Sequence, residues 1–142
     1  MSNEFDNRHI LLVEDDEVDR MTVRRAVRKL KIPNKLMTAE NGEEALNMLR
    51  NSQDLPWFIL MDINMPRMSG IELLKQMKAD ERLKIVPIIM LTTSAQDEDR
   101  YESFTHSVAG YVIKPVEFQN FVQVIDTIHK YWLLVESPDQ ME

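Results

Sequence analysis

Apolar residues along this chain gather in short unbroken runs: Ile10 to Val13, Phe58 to Met61, Ile88 to Leu91 and Tyr111 to Ile113, with a further short segment at Leu36 to Ala39. Strands buried on both faces read as continuous Val/Ile/Leu runs, so the pattern predicts a parallel sheet covered by helices on either side. Between the runs the pattern takes on the period of a helix. Val18, Met21, Thr22, Arg25, Ala26 and Leu30 make a helical stripe broken by Pro33; Asn41 to Leu49, Gly70 to Ala79 and Asp97 to Ser107 supply three more helices. A fifth runs from Phe118 toward Val135. Pro87 opens the fourth strand and Pro115 closes the fifth, where a missing N–H does least harm to the ladder.

The sum is (βα)5, an α/β domain with a doubly wound parallel sheet. Right-handed crossovers and the flavodoxin-like strand order 2-1-3-4-5 make strands one and three neighbours, and ligands bind outside the carboxyl ends of such strands. Each run stops there at reactive groups. The first ends at Glu14, Asp15 and Asp16, the third at Asp62, the fourth at Thr92 and Thr93, and the fifth at Lys114 and Pro115. Acids, hydroxyl and ammonium are therefore expected on one rim, with Asp15, Asp16 and Asp62 meeting.

Composition narrows the function. The 142 residues fit one domain, with a core from about 8 to 133, a polar start, a tail after Ser137 and no output domain. Zero cysteines exclude disulfides and thiolate metal sites and point to a cytoplasmic protein; no apolar run approaches the roughly 20 residues that span a bilayer. A net charge of −7 opposes nucleic acid binding, and the cluster Arg24, Arg25, Arg28, Lys29 and Lys31 reads as a solvated or protein-docking helix face. Gly42, Gly70 and Gly110, each placed at a loop or turn, cannot build either glycine-rich phosphate cradle. A bound phosphate must then be held by metal and lysine. His9, His106 and His129 share no metal-ligand spacing.

The segments Ile10 to Asp16, Leu60 to Pro66 with Ser69-Gly70, Met90 to Ser94 and Gly110 to Pro115 resemble the response-regulator receiver domain of two-component signalling, the family of the chemotaxis regulator. The likeness covers about Arg8 to Lys130. Phe121, Tyr131-Trp132 and Val135 to Pro138 further resemble single-domain regulators paired with phytochrome-type histidine kinases.

The resemblance assigns roles rather than enzymatic turnover. Asp62 is the expected phosphoacceptor, its carboxylate attacking the phosphorus of a kinase phosphohistidine. Mg²⁺ suits the acids because it prefers hard oxygens and keeps waters beside one or two carboxylates. Implied ligands are Asp16 and Asp62 directly, the backbone carbonyl of Asn64, and Asp15 through water; Glu14 and Glu17 are explained by a favourable helix start. Lys114 would bridge Asp62 and the phosphoryl oxygens, aimed inward by an implied cis Lys114-Pro115 bond. Thr92 and Tyr111 form the expected switch, the tyrosine moving from an exposed to a buried rotamer, and Thr93 is bulkier than the residue often found there.

Two other classes stay open on the residues alone. An aspartyl-phosphate phosphohydrolase needs a second acid two residues after the nucleophile, where Asn64 stands; a phosphorylation-independent adaptor has no use for the whole acid, hydroxyl and lysine set. The last helix adds a structural expectation. Its apolar positions, Phe118 through Val135, cover an arc of roughly 200°, more than one sheet face needs. The excess predicts a homodimer anchored by Tyr131 and Trp132, besides an unknown downstream protein partner.

Overall fold

The computed structural model describes residues 7–135; the N-terminal six residues and the tail from 136, including the Val135 to Pro138 likeness beyond its first residue, lie outside the described part. Five strands, β1 (Ile10–Val13), β2 (Leu36–Ala39), β3 (Phe58–Met61), β4 (Ile88–Thr92) and β5 (Gly110–Ile113), alternate with five helices, α1 (Glu17–Lys29), α2 (Gly42–Asn51), α3 (Gly70–Lys78), α4 (Asp97–Thr105) and α5 (Phe118–Leu134). All strand pairs are parallel, in the order β2-β1-β3-β4-β5. This is the flavodoxin-like arrangement that the run pattern predicts.

Successive strand residues point to opposite faces, and each face has its own core. Leu11, Val13, Ile59, Met61, Ile88 and Met90 pack under α2 and α3; Ile10, Leu12, Phe58, Leu60, Ile89 and Leu91 pack under α1 and α5. Because both faces are covered, the strands need no polar alternation. In register, Val13 pairs with Met61 and Met61 with Met90, which brings the strand ends level.

Local chemistry fixes the helix starts. Asp16, Asn41 and Ser69 cap α1, α2 and α3, and Ser69 forms a reciprocal capping box with Glu72. Gly42 and Gly70 open helices rather than sitting in loops, and Gly110 begins β5. A side chain at Gly70 would collide with the carbonyl of Asp62, and its N–H donates to Ile63 at 2.8 Å. The absent side chain thus lets the β3–α3 loop fold back under the acid. By contrast, α4 has no side-chain cap and buries only Ser103, so it is the least anchored helix.

Three expectations are corrected. The inward stripe of α1 is Val23, Ala26 and Val27, while Val18 and Met21 face solvent; the true stripe starts one turn later because the first turn of α1 overhangs the site rather than the sheet. Trp132 is not an exposed anchor. It continues the buried row Phe121, Ile125 and Ile128 at helical spacing and stacks on Phe58, with ring centroids 5.8 Å apart. Part of the wide arc is also taken up by α1, whose Arg25 guanidinium lies 4.3 Å from the Phe118 ring centre. Tyr131 and Leu134 remain exposed. Finally, no cis peptide bond occurs among the described residues, so Lys114-Pro115 is trans; carboxylates, described next, draw the ammonium inward instead.

Candidate functional site

The parallel ladder continues one residue beyond three strands, and those extra rungs carry the site. Glu14 N–H donates to Ala39 at 2.9 Å, Asp62 N–H to Val13 at 3.0 Å, and Lys114 N–H to Thr92 at 2.8 Å. Glu14, Asp62 and Lys114 therefore stand on rigid backbone at one rim. Asp62 is buried at 8% exposure, and its Oδ1 accepts from the Ile63 N–H at 2.8 Å. Its Oδ2 lies 3.6 Å from the Lys114 ammonium.

Lys114 is held by more than Asp62. Its Nζ donates to Glu14 Oε1 at 2.5 Å and to Asp19 Oδ2 at 2.8 Å. Burial opposes its charge, but the hydrogen bonds to Asp19 and Glu14 and the field of Asp62 outweigh it and hold the ammonium above its ordinary pKa. Burial pushes the Glu14 carboxyl up to about 7, aided by Asp62 and resisted by Lys114. Arg20 reaches back from α1 and donates to the carbonyls of Glu14 and Asp15, both at 2.9 Å, which fixes the acidic turn.

Carboxylate oxygens of Glu14, Asp15 and Asp62 lie within 4.8 Å of one another. The Lys114 ammonium offsets the charge of Glu14 and Asp62, and three hard oxygen donors gathered this closely form a set that suits Mg²⁺ or a similar ion. Asp16 is not in the group, against expectation. Its Oδ1 accepts from Val18 N–H at 2.8 Å and Asp19 N–H at 3.2 Å as the cap of α1, so the helix start claims it, and the exposed Asp15 is the acid that stands beside Glu14 and Asp62. Glu14, explained from sequence as a helix-start acid, proves to be buried in the site. Asn64 sits exposed in the loop after Asp62.

Thr92 and Tyr111 both converge on Ser94. The fully buried Thr92 hydroxyl accepts from the Ser94 N–H at 3.2 Å, and the Tyr111 hydroxyl donates to the Ser94 carbonyl at 2.9 Å. Tyr111 is half-buried in this position. Ser94 in turn donates its own hydroxyl to Asp99 Oδ2 at 2.5 Å, tying the loop to α4. Thr93 is exposed and lines a cleft of about 350 Å³ with Lys114, Asp19 and Val116.

The sequence thus placed Glu14, Asp15, Asp62, Thr92 and Lys114 at the strand ends, gave Glu14 no part in the site beyond the helix start, and left Asp19, Arg20 and Ser94 without a role. The helical spacing of Asp19 and Arg20 after the acidic turn was the available signal. A site of this kind can bind a divalent cation and present a carboxylate and an ammonium to a phosphoryl group.

Known proteins share the pattern. The sequence signature of the response regulator receiver domain matches residues 10–126. The probable methanogenesis regulatory protein FilR2 of Methanothrix harundinacea is 35% identical over 128 residues, covering 87% of this chain and 83% of its own length. The response regulator Rcp1 of Synechocystis is 30% identical over 129 residues, covering 87% and 88%. Among solved structures, the phosphorylated cyanobacterial phytochrome response regulator RcpA superposes with a TM-score of 0.87 at 29% identity, over 94% of this chain and 99% of its own. The Mn(2+)-bound form of Rcp1 gives 0.83 at 29% identity, over 92% and 99%.

Proposed function

The chain belongs to the response regulator receiver domain family, and from that membership we propose that Asp62 accepts a phosphoryl group from a histidine kinase and that altered protein contacts carry the signal onward. The observation that carries this reading is the meeting of Asp62 with Lys114, Glu14 and Asp15 at the ends of β1, β3 and β5. An Asp62 oxygen attacks the phosphorus; the phosphorus–nitrogen bond of the phosphohistidine breaks, its electron pair stays on the imidazole, and an aspartyl phosphate remains. Lys114 donates to the phosphoryl oxygens as their charge grows. Mg²⁺, held by Asp15, Asp62 and the Asn64 carbonyl beside Glu14, would neutralise the acids and orient the incoming group. That the similar Rcp1 has an Mn(2+)-bound form supports the reading of a divalent ion here.

Thr92 then turns its hydroxyl from the Ser94 N–H to the phosphoryl group, and Ser94 passes the change to Tyr111 and to α4. The weak anchoring of α4 lets that face respond, and Tyr101, Phe104 and Ile113 give it an apolar surface for a partner. The likeness to RcpA and Rcp1 favours a phytochrome-type kinase upstream. A homodimer through Tyr131 and Leu134 at the end of α5 is part of the same reading.

Incubation with acetyl phosphate and Mg²⁺, with adduct and free phosphate followed together, tests it. A phosphorylated protein that loses its group slowly is expected. Continuous phosphate release without an adduct would make the chain a phosphohydrolase, and no reaction at all would make it an adaptor.

A further inference from the structure

An ammonium has three N–H donors, and Lys114 has committed two of them. Glu14 takes one at 2.5 Å and Asp19 another at 2.8 Å, while Asp62 waits at 3.6 Å, beyond hydrogen-bond range. Glu14 is almost wholly buried on the strand end and cannot follow Lys114 outward. Asp19 differs. It sits on the first turn of α1 at the mouth of the cleft, its side chain 36% exposed, and nothing in the fold of the helix requires an acid at that spot, since Asp16 already caps it. The charge-assisted bond it makes therefore acts on Lys114 rather than on the helix.

We infer that Asp19 is a positioning residue that draws Lys114 away from Asp62 in the resting site and thereby weakens the hold on a phosphoryl group. The inference rests on the phosphoacceptor reading of Asp62. To bring its free donor onto the phosphoryl oxygens at Asp62, Lys114 moves inward from its resting 3.6 Å separation and off Asp19, so loading gives up the Asp19 bond. Any interaction made in one state and lost in the other shifts the equilibrium by its own strength.

The probe is beryllofluoride, a phosphoryl mimic, titrated at saturating Mg²⁺ against wild type, Asp19→Ala and Asp19→Glu, with thermal melting to confirm that each variant folds. Asp19→Ala, which leaves Lys114 no acceptor at that position, should bind roughly three- to tenfold tighter, as expected for release of one charge-assisted hydrogen bond. Asp19→Glu should stay near wild type, because it can still reach the lysine. Removing a negative charge also eases anion binding through space, but that effect fades at about 1 M salt, where the screening length is near 3 Å. The inference therefore requires the gain to survive high salt. Unchanged or weaker binding by Asp19→Ala, or a gain that vanishes with salt, overturns it while leaving Asp62 as phosphoacceptor. Wild type that binds no beryllofluoride overturns both.

Discussion

At the scale of single residues, the turn after β1 holds the sharpest lesson. Glu14, Asp15 and Asp16 are chemically alike and consecutive, so sequence offers no phase to decide which points into the site. The backbone decides it: Glu14 still belongs to the ladder, the exposed Asp15 keeps a carboxylate oxygen within reach of Glu14 and Asp62, and Asp16 turns to cap α1. Asp15→Asn should weaken Mg²⁺ binding by roughly tenfold or more, since a ligand and its charge are lost together. Asp16→Ala should leave the metal largely unaffected but cost about 1 kcal/mol of stability as a lost cap. Isothermal titration and chemical denaturation of both variants check the pair; equal losses of Mg²⁺ affinity would restore Asp16 to the ligand set. Asp62 and Lys114 were legible because each follows a single apolar run with no competing neighbour of its own kind.

Glu14 also gives the site a pH signature. Its carboxyl, raised by burial from 4.5 to about 7, binds a proton in the folded state that the unfolded chain has already released. By linkage this reduces stability progressively as pH rises between those values. Glu14→Gln removes the effect, so in metal-free buffer its stability relative to wild type should rise from pH 4.5 to about 7 and level off above. Thermal unfolding across that range measures it, and a flat difference would show that Lys114 keeps Glu14 ionised throughout.

At the scale of elements, every strand was visible in the sequence and the helix faces were less so. Continuous apolar runs mark a strand wherever both sheet faces are covered, without any need to know which side faces what. A helix needs its phase as well. In α1 the exposed Val18 and Met21 mimic a core stripe; in α5 the apolar arc is so wide that core and surface members look alike. The structure separates them, with Trp132 against Phe58 and Tyr131 outside. Trp132→Ala should accordingly cost about 3–5 kcal/mol of folding stability. Replacing Tyr131 and Leu134 together by alanine should leave stability nearly unchanged and abolish self-association in light scattering. If Trp132→Ala alone dissociates the dimer into stably folded monomers, the aromatic belongs to an interface after all.

At the scale of the whole molecule, a rigid sheet carries the acids and lysine on its extended ladder, while a loosely anchored α4 and the Ser94 hub lie beside them. Chemistry at the rim can thus reach a face that is able to move. The family likeness implied this arrangement and the Lys114–Asp62 pairing, whereas the hold of Glu14 and Asp19 on Lys114 emerges only from three-dimensional contact between residues 100 and 95 positions apart. The central claim is that Asp62 is the group that accepts phosphate. The most direct measurement is the intact mass of wild type and Asp62→Asn after exposure to acetyl phosphate and Mg²⁺. Wild type should gain the mass of one phosphoryl group and Asp62→Asn none; an equal gain by both would contradict the assignment.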